Sequence, residues 1–434
     1  SSALTVAANW HTLEGLTELH PATREVYAAL AAEMPKKVDD TTYEVTLRKD
    51  AKFSNGSAVT AEDVIYSFER ILVKSLPPYS NFLPFIDKVE AKDASTVTFK
   101  LKHAFVLLPE RLSVVKIVPK AVVEADPKKF TYNPVGSGPY KMTDNGAAKQ
   151  VIVFERNDHY NGPYPALVKT MKWNIMPDDT TRTNAMTSGS VQAIDAVPAA
   201  NLPTFKEPIK VSALQGFSLL FAMFNNTSFS NVKARQAVLY ALDYDKICKD
   251  AMAGLATPAT CFVQEGHPAY RKAKTVYSKD LDKAKALLAE AGITSIRMLC
   301  SDHGWFSGVR PVIRENLEAL GVTVSYDEKK SSDLYTFIES EDGANAWDVV
   351  IAPGDPSVFG EDGDLLMRWW YDTPTWIENR MHWKGSEGQK AIYALLEEGA
   401  KLEGDQQITK WQETFDKISE EVPLYPIFHR KSPI

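Results

Sequence analysis

The chain has 434 residues, of which 49 are basic and 56 are acidic, so its formal charge at pH 7 is −7. Hydrophobic residues make up 44% and charged residues 24% of the sequence, which is typical of a globular protein and excludes a disordered or fibrous one. A diffuse acidic balance disfavours nucleic acid or an anionic membrane surface as the main partner, because both select clustered basic residues. This length predicts roughly two or three domains.

The first third of the sequence mixes strand and helix signals. Residues 43–47 alternate between apolar and polar side chains, which predicts a strand with one buried face. Thr60, with an acid three residues later and apolar residues at helical spacing beyond it, predicts a capped amphipathic helix. Further strands are expected at 97–101 and 151–154, and the Gly-Ser-Gly-Pro-Tyr segment at 136–140 predicts a backbone corner.

Beyond residue 230, helix and strand signals alternate regularly. Helices are expected at 232–242, 243–253, 280–291, 311–320 and 406–419, and strands at 296–300, 322–326, 349–352 and 424–428. This alternation predicts a largely parallel sheet with helices packed on it. No internal repeat or low-complexity linker is present, so a second domain is expected to be joined by short crossings.

The cysteines and the apolar stretches say little about location. Cys248, Cys261 and Cys300 are too few for a disulfide scaffold and are not spaced as a zinc site. A disulfide between Cys248 and Cys261, or three buried free thiols, are both open. The longest stretch without charge, 211–232, is too polar to span a bilayer. A secretion signal is either absent or already removed.

Motifs for catalysis and metal binding are weak. The eight histidines form no zinc-binding cluster, so no metal site and no cofactor are expected. Ser113 and Lys116 match the S-x-x-K pattern of penicillin-recognising enzymes, but no K-T-G follows, so a serine acyl-transfer enzyme is only a remote alternative. The acids Glu361, Asp362 and Asp364 carry oxygens of the kind that calcium prefers, but a solvated loop is the favoured interpretation.

A cluster of tryptophans lies between residues 369 and 383. Four of the nine tryptophans are found there among polar residues, namely Trp369, Trp370, Trp376 and Trp383. This pattern favours a ligand-facing surface, although a core beneath a long loop would give the same pattern.

Six ordered segments make the chain resemble the extracytoplasmic solute-binding proteins of ABC importers, in the peptide/nickel-binding class also called family 5. They are similar to the family's L-R…F-x-[DN]-G…T-A-x-D-V segment, its G-[TS]-G-P-Y corner, its R-N-x-x-Y turn and three later motifs. These segments lie at 43–64, 136–140, 156–160, 235–243, 282–292 and 422–426.

The resemblance implies an α/β, two-lobed periplasmic-binding-protein-like fold of class II, with the ligand cleft between the lobes. Lobe I would comprise residues 1–216 and 423–434, and it would include an inserted α+β subdomain at about 35–165. Lobe II would comprise residues 217–422. The signature segments themselves would build corners and the hinge rather than touch the ligand.

The resemblance also implies ligand-binding positions. They lie in the first strand with its following turn, here Trp10 and His11, and at a strand end in lobe II, here Asp355. We expect Trp370 and Trp369 to line the same cleft. In peptide-binding relatives the strand-end aspartate pairs with the peptide's α-ammonium group, which needs such a partner once it loses its water.

Two departures from the family pattern accompany this assignment. No tryptophan stands three residues before Asp355. The strand ending at Asp302 lacks the arginine that clamps the carboxylate in dipeptide binders, which argues against a pocket for dipeptides alone.

The implied function is the capture of a small solute, an oligopeptide first of all, and its delivery to ABC permease subunits. The alternative is a non-peptide nutrient on the same fold, such as a sugar, a metal chelate or another amine-bearing solute, because aromatic rings stack on sugars as well. The protein is expected to be a monomer without catalytic residues or a nucleic-acid partner. Its expected place is the periplasmic or extracellular face of the cytoplasmic membrane, with a lipid anchor left open.

Overall fold

The computed structural model describes residues 3–73 and 79–434, and the contacts between residues divide the chain into two units. Unit 1 comprises Ser1–Ile175 and Ser357–Leu366, and unit 2 comprises Met176–Pro356 and Met367–Ile434. The lobe boundaries expected from the resemblance are different ones, and they stay a prediction.

Unit 1 contains three small antiparallel sheets with short helices. Its strands are β1 Thr17–Leu19, β2 Val26–Ala28, β3 Lys36–Asp39, β4 Thr42–Thr46, β5 Ile86–Ala91, β6 Thr96–Leu101, β7 Tyr140–Asn145, β8 Val151–Arg156 and β9 Thr170–Asn174. Its helices are α1 Ala3–Thr12, α2 Ala61–Leu72, α3 Leu108–Arg111, α4 Lys120–Ala125 and α5 Pro127–Tyr132, and single 3-10 turns span Tyr79–Phe82 and Leu112–Val114. The strand orders are β1-β2, β3-β4-β6-β5 and β7-β8-β9.

Helix α2 forms as its sequence predicts. The side chain of Thr60 accepts a hydrogen bond from the backbone of Asp63, whose carboxylate accepts one from the Thr60 backbone in return. This capping box satisfies two of the unpaired backbone donors at the helix start. The buried face of α2 carries Val64 and Phe68, and the ring of Phe68 meets Phe99 of β6 edge on at 4.9 Å.

The first element of unit 1 is a helix, not a strand. The expectation that Trp10 and His11 lie in a first strand and its turn is therefore wrong, because both belong to the last turn of α1. The segment has three alanines and no period-two alternation, which favours a helix.

Unit 2 is built on one six-stranded sheet. Its strands are β10 Ala213–Phe224, β11 Ala256–Pro258, β12 Ser295–Ser301, β13 Thr323–Lys329, β14 Val349–Gly354 and β15 Leu424–Pro433. The α-helices from residue 176 onward are α6 Asp179–Thr187, α7 Val232–Ala241, α8 Leu281–Glu290, α9 Val309–Glu318, α10 Leu334–Ile338, α11 Gly363–Tyr371, α12 Pro374–Ile377, α13 Glu387–Gly399 and α14 Gly404–Glu421. A π-helix spans Lys246–Ala251, and 3-10 turns span Ala199–Thr204, Gly304–Phe306 and Pro356–Phe359.

The sheet of unit 2 is mixed, so the prediction of a largely parallel sheet is wrong. The strand order is β11-β15-β10-β14-β12-β13. Only β12 pairs in parallel, with β13 and β14, whereas the pairs of β10 with β14 and β15 and of β11 with β15 are antiparallel. Strand β10 was not predicted; it lies between β14 and β15 and runs antiparallel to both.

The three cysteines are free and buried, which settles the alternative left open by the sequence. Burial raises the pKa of Cys261 to about 11 and that of Cys248 to about 12, so both thiols stay protonated at neutral pH. None of the helices in 3–73 and 79–434 is both long and apolar enough to cross a membrane.

Candidate functional site

A pocket of about 390 Å³ lies within unit 1 and contacts the last turns of α1. Six aromatic side chains contribute to its walls, namely Trp10, Tyr27, Tyr79, Tyr160, Tyr164 and Phe359. A concave site with aromatic walls and a few polar groups is the usual form of a small-molecule pocket.

The last turn of α1 brings two of the predicted ligand residues to this pocket. Trp10 lines it and is 48% exposed. His11 also lines it, and its half-buried ring packs against Tyr140, Phe154 and Trp173 at centroid distances of 5.4–6.0 Å. Burial lowers the pKa of His11, which favours the neutral imidazole. Contact of either residue with a ligand stays a prediction.

The Gly-Ser-Gly corner holds the end of α1 in place. The backbone N–H of Gly138 donates to the carbonyl oxygen of Thr12 at 3.1 Å. A Cβ atom on Gly136 would lie 2.0 Å from that oxygen, and one on Gly138 would lie 2.6 Å from the carbonyl oxygen of His11. Only glycine permits so close an approach of two backbones. The corner therefore positions the helical turn that faces the pocket.

Charged side chains in the pocket walls are paired. Lys116 forms an ion pair with Glu18, and Nε of Arg24 lies 2.5 Å from Oε1 of Glu361. Each pair is partly buried, and each joins one positive and one negative group. The two members of each pair neutralise one another, so the aromatic rings are the main groups that the pocket presents to a ligand.

A buried carboxylate in the pocket wall was not identified from the sequence. Glu14 is 5% exposed, and its Oε2 lies 3.2 Å from Nη2 of Arg48. Burial raises the pKa of Glu14, and Arg48 opposes that shift. Burial and the nearby Glu14 raise the pKa of Tyr160 to about 12, so its phenol remains a hydrogen-bond donor. Arg48 belongs to the family segment at 43–64, whose residues were expected to be structural, and its pairing with Glu14 was not predicted.

The remote serine-enzyme alternative gains no support from the geometry. Ser113 and Lys116 both line the pocket. However, the Ser113 hydroxyl donates to the carbonyl oxygen of Glu110 at 2.7 Å, while the Lys116 ammonium pairs with Glu18. A serine nucleophile needs a base that takes its proton, and here the two groups have other partners.

The acidic segment at 361–364 was considered as a calcium site and interpreted as a solvated loop. In the structure, two of its acids pair with a buried arginine instead. Nη2 of Arg111 lies 2.9 Å from Asp362 and 2.7 Å from Asp364. The two carboxylates are 2% and 0% exposed, so the solvated-loop interpretation is wrong for them. Burial of both acids is possible because Arg111 supplies the opposite charge.

In unit 2, the predicted ammonium anchor follows directly after a strand. Asp355 comes one residue after the end of β14 and is half-buried. A Cβ atom on the preceding Gly354 would lie 2.7 Å from the indole of Trp370 and 3.0 Å from the ring of Phe221. The strand end therefore rests on two aromatic rings. The role of Asp355 stays a prediction.

The tryptophan cluster is mostly core. Trp370, Trp376 and Trp383 are 1%, 4% and 2% exposed, so these three rings belong to the core, which was the alternative interpretation of the pattern. The ring of Trp376 packs against Trp370 at 5.8 Å and against the half-buried Trp369 at 5.9 Å. The sequence could not show this, because the rings pack against β10. Ligand contact by Trp369 and Trp370 stays a prediction.

Two solved binding proteins have folds similar to that of this chain. The oligopeptide-binding protein AppA from Bacillus subtilis, in complex with a nonapeptide, matches with a TM-score of 0.84 at 22% identity, over 100% of this chain and 90% of that one. The binding protein AgaA from A. tumefaciens R10, in complex with agropinic acid, matches with a TM-score of 0.84 at 25% identity, over 99% and 88% of the two chains. The fold is that of a solute-binding protein, which confirms the predicted fold class.

The particular family is fixed by the sequence. The model of bacterial extracellular solute-binding proteins, family 5 (Middle), matches residues 25–391, and the chain belongs to this family of ABC-importer binding proteins. It is 26% identical to the probable D,D-dipeptide-binding periplasmic protein DdpA of Escherichia coli K12 over 87% of this chain and 72% of that protein. It is 29% identical to the glutathione-binding protein GsiB of Pectobacterium atrosepticum, over 66% of this chain and only 57% of that protein.

Proposed function

We propose that the protein captures an oligopeptide outside the cytoplasmic membrane and presents it to the permease subunits of an ABC importer. The observation that carries this proposal is the aromatic pocket of unit 1 with its internally paired charges. Such walls stack on peptide side chains of many kinds without selecting one charge. Peptide-binding proteins among the relatives and solved structures add support.

The proposed ligand residues fall in both units. Trp10 and His11 contribute from the pocket of unit 1, and Asp355 anchors the peptide's α-ammonium group from unit 2. The ring of Trp370 borders the strand end that precedes Asp355, and Trp369 is the adjacent residue of α11. In this proposal the protein is a monomer and no enzyme, and it acts at the outer face of the membrane, with or without a lipid anchor.

A second candidate keeps the fold and changes the cargo. The binding protein solved with agropinic acid is as similar in fold as the peptide-binding one and slightly more similar in sequence. This observation favours a small amine-bearing or acidic nutrient as the alternative ligand.

Replacing Trp10 with alanine tests the proposed pocket. We expect the affinity for the tripeptide Ala-Phe-Ala to fall by about 5- to 30-fold, because an aromatic contact is lost. The melting temperature of the ligand-free protein should barely change, since the side chain is 48% exposed. Isothermal titration calorimetry measures the first effect and scanning calorimetry the second.

The matched control is Tyr132→Ala. Tyr132 is an aromatic residue of the same unit that is 65% exposed and does not line the pocket. Its replacement should leave the affinity unchanged. If Trp10→Ala binds the tripeptide as tightly as the wild type, the ligand lies outside this pocket. If the wild type binds no peptide, the proposed function is wrong.

A further inference from the structure

Arg430 lies in strand β15 of unit 2 and is buried. The residue is 8% exposed, and its Nε atom has no hydrogen-bond partner. Within residues 3–73 and 79–434, no hydrogen bond or ion pair reaches its guanidinium group. An arginine keeps its charge in proteins, so burying it without a partner is unfavourable.

Another buried arginine of unit 2, Arg235, has hydrogen-bond acceptors for its guanidinium group and serves as a comparison. Arg235 is 2% exposed and donates to the backbone carbonyl oxygens of Phe229, Ser230 and Glu421, each at 2.9 Å. Burial lowers the pKa of both arginines to about 10. The two residues are therefore alike in burial and differ in their hydrogen bonds.

One side of the Arg430 guanidinium is covered by an aromatic ring. Its Cζ atom lies 4.1 Å from the ring centroid of Trp305, in the 3-10 turn that follows β12. Trp305 is half-buried, and its neighbours Gly304 and Ser307 are exposed, so this turn reaches the solvent. Asp195 acts on Arg430 only from beyond ion-pair distance. Stacking on an indole stabilises the cation and leaves its N–H edge available.

Arg430 and Asp355 lie on the same side of the sheet, toward the carboxyl ends of β14 and β15. Leu219 of β10 pairs with Gly354 of β14 on one side and with His429 of β15 on the other. Asp355 directly follows Gly354, and Arg430 directly follows His429. Because β10 lies between β14 and β15, two strand spacings, about 10 Å, separate Asp355 and Arg430 at backbone level.

This side is also where the parallel part of the sheet ends. Strands β12 and β14 run in parallel, so their carboxyl ends lie together there. Ligands of open α/β sheets bind outside the carboxyl ends of the strands. The unpaired arginine therefore stands in a favourable place for a ligand.

We propose that Arg430, backed by the ring of Trp305, binds a carboxylate group of the transported solute. The guanidinium fork fits a carboxylate through two parallel hydrogen bonds. This assignment deepens the proposed function and rests on it, because a peptide held by its ammonium group at Asp355 would place its C-terminal carboxylate at Arg430. A span of about 10 Å corresponds to about three extended residues.

The first test compares Ala-Phe-Ala with a free carboxyl terminus and the same peptide as its C-terminal amide. The wild type should bind the free acid about 10- to 100-fold more tightly than the amide. Arg430→Met should lose this preference, and Arg430→Lys should keep part of it. If Arg430→Met retains the full preference for the acid, the carboxylate binds elsewhere and the assignment is wrong.

The second test separates a binding role from a structural one. Without ligand, Arg430→Met should melt at the same temperature as the wild type or higher, because an unpaired buried charge is removed. The matched control Arg235→Met should melt several degrees lower, because it leaves three buried carbonyl oxygens without their hydrogen-bond donor. A loss of melting temperature in Arg430→Met as large as that of the control would make Arg430 a structural residue and overturn the proposal.

The third test uses acetate and needs no peptide. The melting temperature of the wild type should rise saturably with acetate compared with chloride at equal ionic strength, and that of Arg430→Met should not. If the wild type binds no peptide but shows this response, the proposed function fails and the carboxylate site stands. If both proteins respond equally to acetate, the assignment of Arg430 fails.

Discussion

Replacing Arg111 with alanine is expected to lower the free energy of unfolding by about 3–5 kcal/mol, because it leaves two buried carboxylates without their counter-charge. Arg111 is 1% exposed and contacts Asp362 and Asp364, and its Nη1 donates to the carbonyl oxygen of Phe82 at 2.7 Å. Although burial opposes its charge, the two aspartates raise the pKa of Arg111. The guanidinium also stacks on Phe105, with its Cζ atom 5.0 Å from the ring centroid.

Urea unfolding followed by circular dichroism measures this loss. The matched control is Arg314→Ala, since Arg314 pairs with Glu318 at 2.9 Å but both side chains are about half exposed, at 49% and 47%. Its loss should stay within about 0.5 kcal/mol. A loss of less than about 1 kcal/mol for Arg111→Ala would contradict the view that this triad stabilises unit 1.

Replacing Asp355 with alanine should weaken the binding of a free peptide by about 2–5 kcal/mol, or about 30- to 5,000-fold. The proposed reason is the ammonium group of the peptide, which loses its water on binding and would be left without a counter-charge. The fold should barely change, because Asp355 follows the end of β14 and lies outside its hydrogen-bonded ladder.

Calorimetry with Ala-Phe-Ala and its N-acetyl derivative measures the effect. The wild type should prefer the free peptide strongly, and Asp355→Ala should bind both peptides weakly. Asp302 is the matched control, because this exposed acid follows the neighbouring parallel strand β12, and its replacement by alanine should leave the affinity unchanged. Equal affinity of the wild type for the free and the acetylated peptide would rule out the anchor role.

Local features of the fold could be predicted from the sequence because their causes are local. The capping box at Thr60 spans only a few residues and correctly predicted α2. The alternation at 43–47 is equally local and correctly predicted β4. The six family motifs in order gave the fold class, which the solved structures confirm. Trp10 and His11 were placed at a ligand site by resemblance, and the structure brings both to one pocket although the element that carries them is a helix.

Features that depend on distant parts of the chain could not be predicted. Arg111 meets its acidic partners across about 250 residues, so nothing near the acids marked them as buried. The mixed sheet depends on β10, whose charge-free sequence gave no clear period. The tryptophan cluster packs against the rings of this same strand, through Phe221. Arg430 stands out only after its burial and its missing partner are known.

The most direct test of the account is mass spectrometry of the small molecules released when the freshly purified protein is denatured. The proposed function predicts a set of short peptides with free amino and carboxyl termini, with lengths near three residues if Arg430 and Asp355 hold their two ends. A single non-peptide species would contradict the peptide function, although the protein would remain a family 5 solute-binding protein with another cargo.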